Sequence, residues 1–296
     1  MGWRIEVAAR DLGEEDAFEL RGVLPVPGWR AFVRGTAAEL QGAGRPLRGA
    51  RLDISGDLPL GAGLASSAAL CVALALALLG DEPEDRLELA RLCSQVERRW
   101  AGAETGLLDQ LAVLLAQEGS ALRLDLRDLS ATAVPFELGG WTLAVLDSGA
   151  SREHAESGFN RRREECRAAC EQLGLQSLRD AEPGDAERLP DPFAGRVRHV
   201  TTENARVDDA IAALRNGDLD RLGRLLDESH ASLREDYEVS TPEVERAVEA
   251  CRSAGAAGAR IMGGGFGGSV LALYPPGAEP APGSMAVAPG PAAHLM

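Results

Sequence analysis

Asp57 to Leu70 reads D-L-P-L-G-A-G-L-A-S-S-A-A-L. Gly61 and Gly63 stand between a short alternating run, Arg51 to Ile54, and an apolar run from Ala68 to Leu79 that contains no polar residue. The pattern predicts a strand, a glycine-rich turn and a helix N-terminus. Glycine takes dihedrals closed to other residues and lets a ligand approach the backbone. The first turn of a helix offers N–H groups without intrahelical partners at the positive end of the dipole, so it attracts phosphate. Ser66 and Ser67 can cap that helix, or one hydroxyl can turn to a magnesium ion. A tight turn before a buried helix accounts for the same residues equally well.

The chain has 296 residues, enough for one large or two ordinary domains. Its net charge of −15 gives no sign of the basic face that a nucleic-acid binder presents. There is no lysine; all 31 basic residues are arginine. A lysine-bearing P-loop, the strand lysine of protein kinases and Schiff-base chemistry are therefore excluded. Phosphate chemistry here must rely on backbone amides, arginine and metal. The cysteine count is 5, odd, and no C-x-x-C pair occurs. That usage suits free thiols in a reducing compartment. The charged start, Met1 to Leu20, lacks a signal-peptide core, and Ala68 to Leu79 is too short to span a bilayer. The expectation is a cytoplasmic protein with no nucleic-acid or membrane partner.

Strands are expected at Trp3 to Val7 and Ala31 to Val33, with a short helix at Gly35 to Gly42. A helix follows from about Ser66 to Leu79, and Pro83 opens another that runs to Trp100. Glu97 falls toward the same side as Cys93, with a solvated stripe edge as the rival placement. Asp109 lies within the apolar run Leu107 to Ala116; a carboxylate in mid-helix on an apolar face suggests function, with a structural hydrogen bond as its rival. Strands are expected at Leu122 to Leu126 and Trp141 to Leu146, with a domain boundary near residue 135. Arg152 to Leu173 reads as a charged helix. Its arginines Arg161 to Arg163 could meet phosphate, but i, i+4 pairing with residues such as Glu165 explains them as well. Asp180 to Phe193 reads as loop, and helices are expected at Val207 to Arg215, at Leu219 to Leu233 and after the cap Thr241-Pro242. Ala259 to Met262 and Val270 to Tyr274 flank a glycine loop, and the tail after Pro275 is expected to be weakly ordered.

Three islands resemble one family, the galactokinases of the GHMP small-molecule kinases. P-L-G-A-G-L-A-S-S-A-A (59 to 69) resembles the family's ATP loop. Q-V-E-R-R-W-A-G-A-E-T-G-L-L-D-Q (95 to 110) resembles its Q-x-x-E and G-x-M-D-Q stretch. A-R-I-M-G-G-G-F-G-G (259 to 268) resembles its last glycine motif. R-H-V-T-T-E-N (198 to 204) and E-S-H-A-S-L-R-E-D-Y-E-V-S-T-P-E (228 to 243) are galactokinase-like as well. The last of these separates galactokinase from mevalonate or homoserine kinase.

The resemblance implies an α+β, two-domain GHMP kinase fold. Residues 1–135 would form the ATP-binding domain, like the second domain of a small-subunit ribosomal protein and incomplete at its start. Residues 136–296 would form a ferredoxin-like C-terminal domain. It implies ATP and Mg2+ as cofactors and phosphorylation of a monosaccharide, galactose above all, at its anomeric hydroxyl by a monomeric enzyme. Gly61, Ala62, Gly63, Leu64, Ala65, Ser66 and Ser67 would wrap the ATP phosphates. Ser67 and Glu97 match the magnesium ligands, and Asp109 matches the aspartate that takes or orients the sugar hydroxyl proton. Gly263, Gly264, Gly265 and Gly267 would support the site.

Two features depart from the family. Its N-terminal G-R-V-N-L-I-G-E-H-T-D-Y-N segment, which supplies a transition-state arginine and sugar contacts, has no counterpart in residues 1 to 56. The chain is thus expected to open inside the pattern, either as a shortened form of a longer enzyme or as an impaired relative that binds nucleotide or sugar. The tyrosine of the family's Y-N-x-R-R, a sugar contact, is Phe159 here, and a lost hydroxyl contact costs about 0.5–1.5 kcal/mol.

Overall fold

The computed structural model describes residues 2–59, 63–102, 106–150 and 155–296, with side chains from 158 onward in the last stretch. Two compact units divide between Ala133 and Val134, and Pro289–Met296 groups with the first.

The first unit opens with strand β1 (Arg4–Ala9) and its antiparallel partner β2 (Glu14–Glu19), which pairs Ile5 with Phe18. Helix α1 (Trp29–Gly42) leads to β3 (Ala50–Ile54), which runs parallel to β1 in the order β2-β1-β3. The side chains of Ile5 and Val7 alternate onto the core with Phe18, where Val33, Ala37 and Leu40 of α1 meet them. Ala31 to Val33, expected as a strand, lies inside α1. A short apolar triplet has no period of its own, and the helical spacing of Val33, Ala37 and Leu40 decides its state.

Helix α2 (Ser66–Leu79) is apolar on every side after its first turn and buries most of its surface, leaving Ala73 and Ala77 exposed. It packs against α1, α3 (Arg86–Trp100) and α4 (Leu108–Leu115). Asp85 caps α3 by accepting from the N–H groups of Leu87 and Glu88, so Pro83 precedes the helix rather than opening it. Gly35 lets α1 approach α3: a Cβ there would stand 2.6 Å from the Trp100 ring. Strand β4 (Ser120–Asp125) pairs with β5 (Ser130–Pro135).

The second unit is a four-stranded antiparallel sheet in the order β7-β8-β6-β9, built from β6 (Thr142–Asp147), β7 (Gly258–Ile261), β8 (Ser269–Tyr274) and β9 (Met285–Val287). Its helices are α5 (Ala155–Leu173), α6 (Phe193–Arg215), α7 (Leu219–Glu235) and α8 (Pro242–Ser253). Leu143 and Leu273 meet Leu219, Leu222 and Leu225 of α7 on one sheet face. Ala144, Ala272 and Tyr274 meet Val244, Val248 and Cys251 of α8 on the other. Gly223 and Gly258 allow α7 to lie on β7, since a Cβ on Gly258 would fall 1.7 Å from the Gly223 carbonyl oxygen.

Three further expectations change. α6 begins at Phe193, well before Val207. The stretch read as loop from Asp180 holds a 3-10 turn at Pro183–Arg188. The tail is ordered: β9 pairs with β6, and the Ala293 N–H donates to the Val113 carbonyl at 2.9 Å in the first unit. Its proline-rich composition conceals a β-run of only three residues.

Candidate active site

Within the glycine turn, Gly61 and Ala62 fall outside the described residues. Gly63 has φ +82°, and Ala65 is left-handed at φ +53° on the threshold of α2. A left-handed non-glycine residue costs roughly 1–2 kcal/mol, so its neighbours must hold it there. Ser66 and Ser67 form the first turn of α2 itself. The N-cap is Ala65, and no side chain caps the helix. The capping role open to the serines is therefore not the one adopted.

Glu97 lies on α3 and is only 2% exposed, which excludes the solvated stripe edge. Its Oε2 accepts a hydrogen bond from Nε2 of Gln110 on α4 at 2.8 Å. Two buried thiols lie near it. Burial first, and then the nearby Glu97 carboxylate, push the Cys93 thiol up to about 12. The Cys71 thiol is raised by burial, by Cys93 and by Glu97. Cys71 follows Ser67 by one turn on the same face of α2. Ser67 and Glu97 thus lie on two packed helices, α2 and α3.

Asp109 is the second residue of α4 and is exposed. It is not a mid-helix carboxylate on an apolar face: Gln110, Leu111 and Leu114 form the buried side. An aspartate in a first turn is favoured by the dipole, which removes the propensity anomaly. The single helix therefore presents Asp109 outward and Gln110 inward, toward Glu97.

In the second unit, Phe159 of α5 lies against the glycine loop, its ring 3.1 Å from the position of a Cβ on Gly264. Gly263, Gly265 and Gly267 all have positive φ, at +68°, +83° and +133°. Arg161 and Arg162 hold Glu165 at 2.9 and 2.8 Å, and Arg162 also donates to the carbonyls of Tyr237 and Glu238. These two arginines serve the fold. Arg196 and His199, to which no sequence motif gives a chemical role, both lie on the buried side of α6.

Among the described residues no group of three or more His, Cys, Asp or Glu side chains is placed to hold a metal. Magnesium in kinases keeps several waters and takes one or two protein oxygens beside the phosphates. The Ser67 hydroxyl with the buried Glu97 carboxylate is a donor set of that size and hardness.

The GHMP kinases N terminal domain model matches residues 31–117, and the GHMP kinases C terminal model matches residues 210–282. Both halves of that class are thus present on one chain. A galactokinase of Streptomyces coelicolor is 41% identical over 277 residues, covering 88% of this chain and 71% of that protein. A galactokinase of Mycobacterium tuberculosis is 42% identical over 258 residues, covering 84% and 71%. The crystal structure of Lactococcus lactis galactokinase complexed with galactose superposes with TM-score 0.83 at 32% identity, over 92% of this chain and 75% of that one. Methanococcus jannaschii mevalonate kinase shares the fold at 19% identity and TM-score 0.63. The chain belongs to the galactokinases, sugar kinases of the two-domain α+β GHMP kinase fold whose phosphoryl donor is ATP.

Proposed function

We propose that this chain transfers the γ-phosphoryl group of ATP to the anomeric hydroxyl of galactose, giving galactose 1-phosphate and ADP. The observation that carries the reading is the contrast in burial between two carboxylates on adjacent helices. Glu97 is buried and fixed by Gln110, while Asp109 is exposed one residue before Gln110. A buried carboxylate suits a cation, and an exposed one can reach a substrate hydroxyl.

Backbone N–H groups of Gly61 to Ser67 bind the triphosphate, since no lysine is available to do so. Ser67 and Glu97 hold Mg2+, which neutralises charge on the phosphates when bound. Asp109 accepts the hydroxyl proton, or orients that hydroxyl for in-line attack. Phe159 supports the sugar side through its ring alone. The glycine loop, Gly263 to Gly267, is a supporting element of the second unit. Five free cysteines favour a reducing cytoplasm, and we read the enzyme as a monomer. No helix among the described residues is long and apolar enough to cross a membrane.

The test is ADP release by the purified chain with Mg2+, ATP and a panel of monosaccharides. Turnover with galactose well above that with glucose or mannose supports the assignment. Preference for another sugar overturns the substrate. ATP binding without ADP release on any sugar favours instead an impaired, ligand-binding relative.

A further inference from the structure

We propose that Phe266 is a positioning residue for the sugar side of the site: its ring, seated on Gly158 and facing Arg162 of α5, fixes the glycine loop against the Phe159 ring. The proposal rests on reading Phe159 as the ring that meets the sugar.

The loop runs through positive φ at Gly263, Gly265, Gly267 and Gly268, and Phe266 shares that region at +59°. Left-handed backbone is disfavoured for a bulky side chain, whereas glycine takes it without strain. What this position gains from phenylalanine is therefore the ring.

Phe266 is held from three sides. Its N–H donates to the Val239 carbonyl at 2.7 Å. A Cβ on Gly158 would stand 2.7 Å from Cε1 and Cζ of the ring, so a glycine at 158 is what leaves room for it. The Arg162 guanidinium carbon lies 5.8 Å from the ring centroid, within cation–π range. Arg162 is itself fixed by Glu165 and by the carbonyls of Tyr237 and Glu238, so the ring meets a rigid surface.

Gly158 lies inside α5, where alanine would favour the helix. Two locally unfavourable choices, a helical glycine and a left-handed phenylalanine, thus meet in one contact. Packing alone asks for neither. Backbone strain that the surroundings maintain marks places where one conformation is needed. Phe159 follows Gly158 directly and lies against Gly264, two residues before Phe266. One stretch of α5 therefore grips the loop at two points, and the loop in turn backs the Phe159 ring. Releasing Phe266 removes that backing.

The test compares Gly158→Ala, which fills the seat, Phe266→Ala, which removes the ring, and the double variant with the parent chain. Calorimetry reads the affinity for galactose without turnover, and for a non-hydrolysable ATP analogue in parallel. Each single variant is expected to weaken galactose binding by about 10-fold, less than the ~10²-fold that a 1 Å misplacement of reacting groups can cost. Affinity for the ATP analogue is expected to hold. In turnover the loss falls on the KM for sugar, with kcat changed less. In the Phe266→Ala background, Gly158→Ala adds no further loss, because no ring is left to displace. Phe266→Leu serves if the alanine variant does not fold. A lowered melting temperature with unchanged galactose affinity in the single variants overturns the positioning role, and so does an equal loss of both ligands. Should the parent chain itself bind no galactose, the functional reading falls, and this inference with it. Galactose binding by the parent with no change in the variants removes only the inference made here.

Discussion

Arg196 and Glu165 form a buried ion pair at 2.8 Å, and the segment 236–239 hangs from it. Arg196 is 1% exposed and also donates to the Asp236 carbonyl and to Glu238 Oε2. Arg162 donates to the Tyr237 carbonyl at 2.6 Å and the Glu238 carbonyl at 3.0 Å. The next carbonyl, that of Val239, accepts the Phe266 N–H at 2.7 Å. Successive carbonyls from Asp236 to Val239 are thus bound by two arginines and then by the glycine loop. Glu238 is held left-handed at φ +54° within this clamp.

Removing one member of such a buried network leaves uncompensated charge and orphaned carbonyls. Arg196→Met is expected to destabilise the protein by about 3–5 kcal/mol in urea unfolding. Replacing both partners, Arg196→Met with Glu165→Met, should cost less than the sum of the single changes, because no charge is left alone. Additive losses would show that the pair does not act as a unit.

His199 makes stability depend on pH. Its ring is 8% exposed, stacks on Tyr237 with centroids 4.3 Å apart, and shares a hydrogen bond with the Ser232 hydroxyl at 3.1 Å. Burial lowers its pKa from 6.5 to about 4, against the attraction of Glu203 and Asp236 and with the help of Arg206 and Arg260. The unfolded chain therefore binds more protons between those values. Stability is complete above about 6.5 and declines as pH falls toward 4. A shift of this size bounds the loss at ~3 kcal/mol. Burial also lowers His230, which adds in the same direction. Urea midpoints at pH 7 and pH 5 read the effect. His199→Gln should flatten the difference between them, and an unchanged slope would assign it to other groups.

The fold was legible where one chemical constraint acted alone. The apolar run fixed α2, and Thr241-Pro242 fixed the start of α8, where Val244 N–H indeed donates to the threonine hydroxyl. Glu97 was ambiguous because periodicity cannot separate a stripe's edge from its interior; the packing of α2 and α4 on α3 decides that. Asp109 was misjudged as mid-helix because nothing before Leu107 marks a helix start as clearly as a capping residue would. β9 and the long α6 were invisible for a further reason: β9 depends on β6, far back along the chain, and α6 on packing against α5 and α7, which no local pattern announces.

Gly265 joins the glycine loop to this clamp. It has φ +83°, and a Cβ there would stand 2.4 Å from the Cβ of Val239. Gly277 has a similar φ of +87° but nothing within 4 Å of a Cβ. Gly277→Ala should therefore cost only the backbone strain, roughly 1 kcal/mol. Gly265→Ala must also move the loop or the segment 236–239, and is expected to cost about 2–4 kcal/mol. Thermal and urea melts of the two variants make the comparison, and equal losses would mean that the loop yields freely.

Asp109→Asn separates chemistry from structure most cleanly, because the side chain is exposed in the first turn of α4 and is not part of the buried face of that helix. Asparagine keeps the shape and removes the proton acceptor. Stability should stay within ~0.5 kcal/mol of the parent, as for surface changes generally. The rate at saturating ATP, Mg2+ and sugar should fall by about 10²-fold or more if the carboxylate takes the hydroxyl proton. Loss of orientation alone would instead raise the KM for sugar with a smaller change in kcat. Full turnover in the asparagine variant would remove Asp109 from the reaction, and the acceptor would then have to be sought elsewhere on the chain.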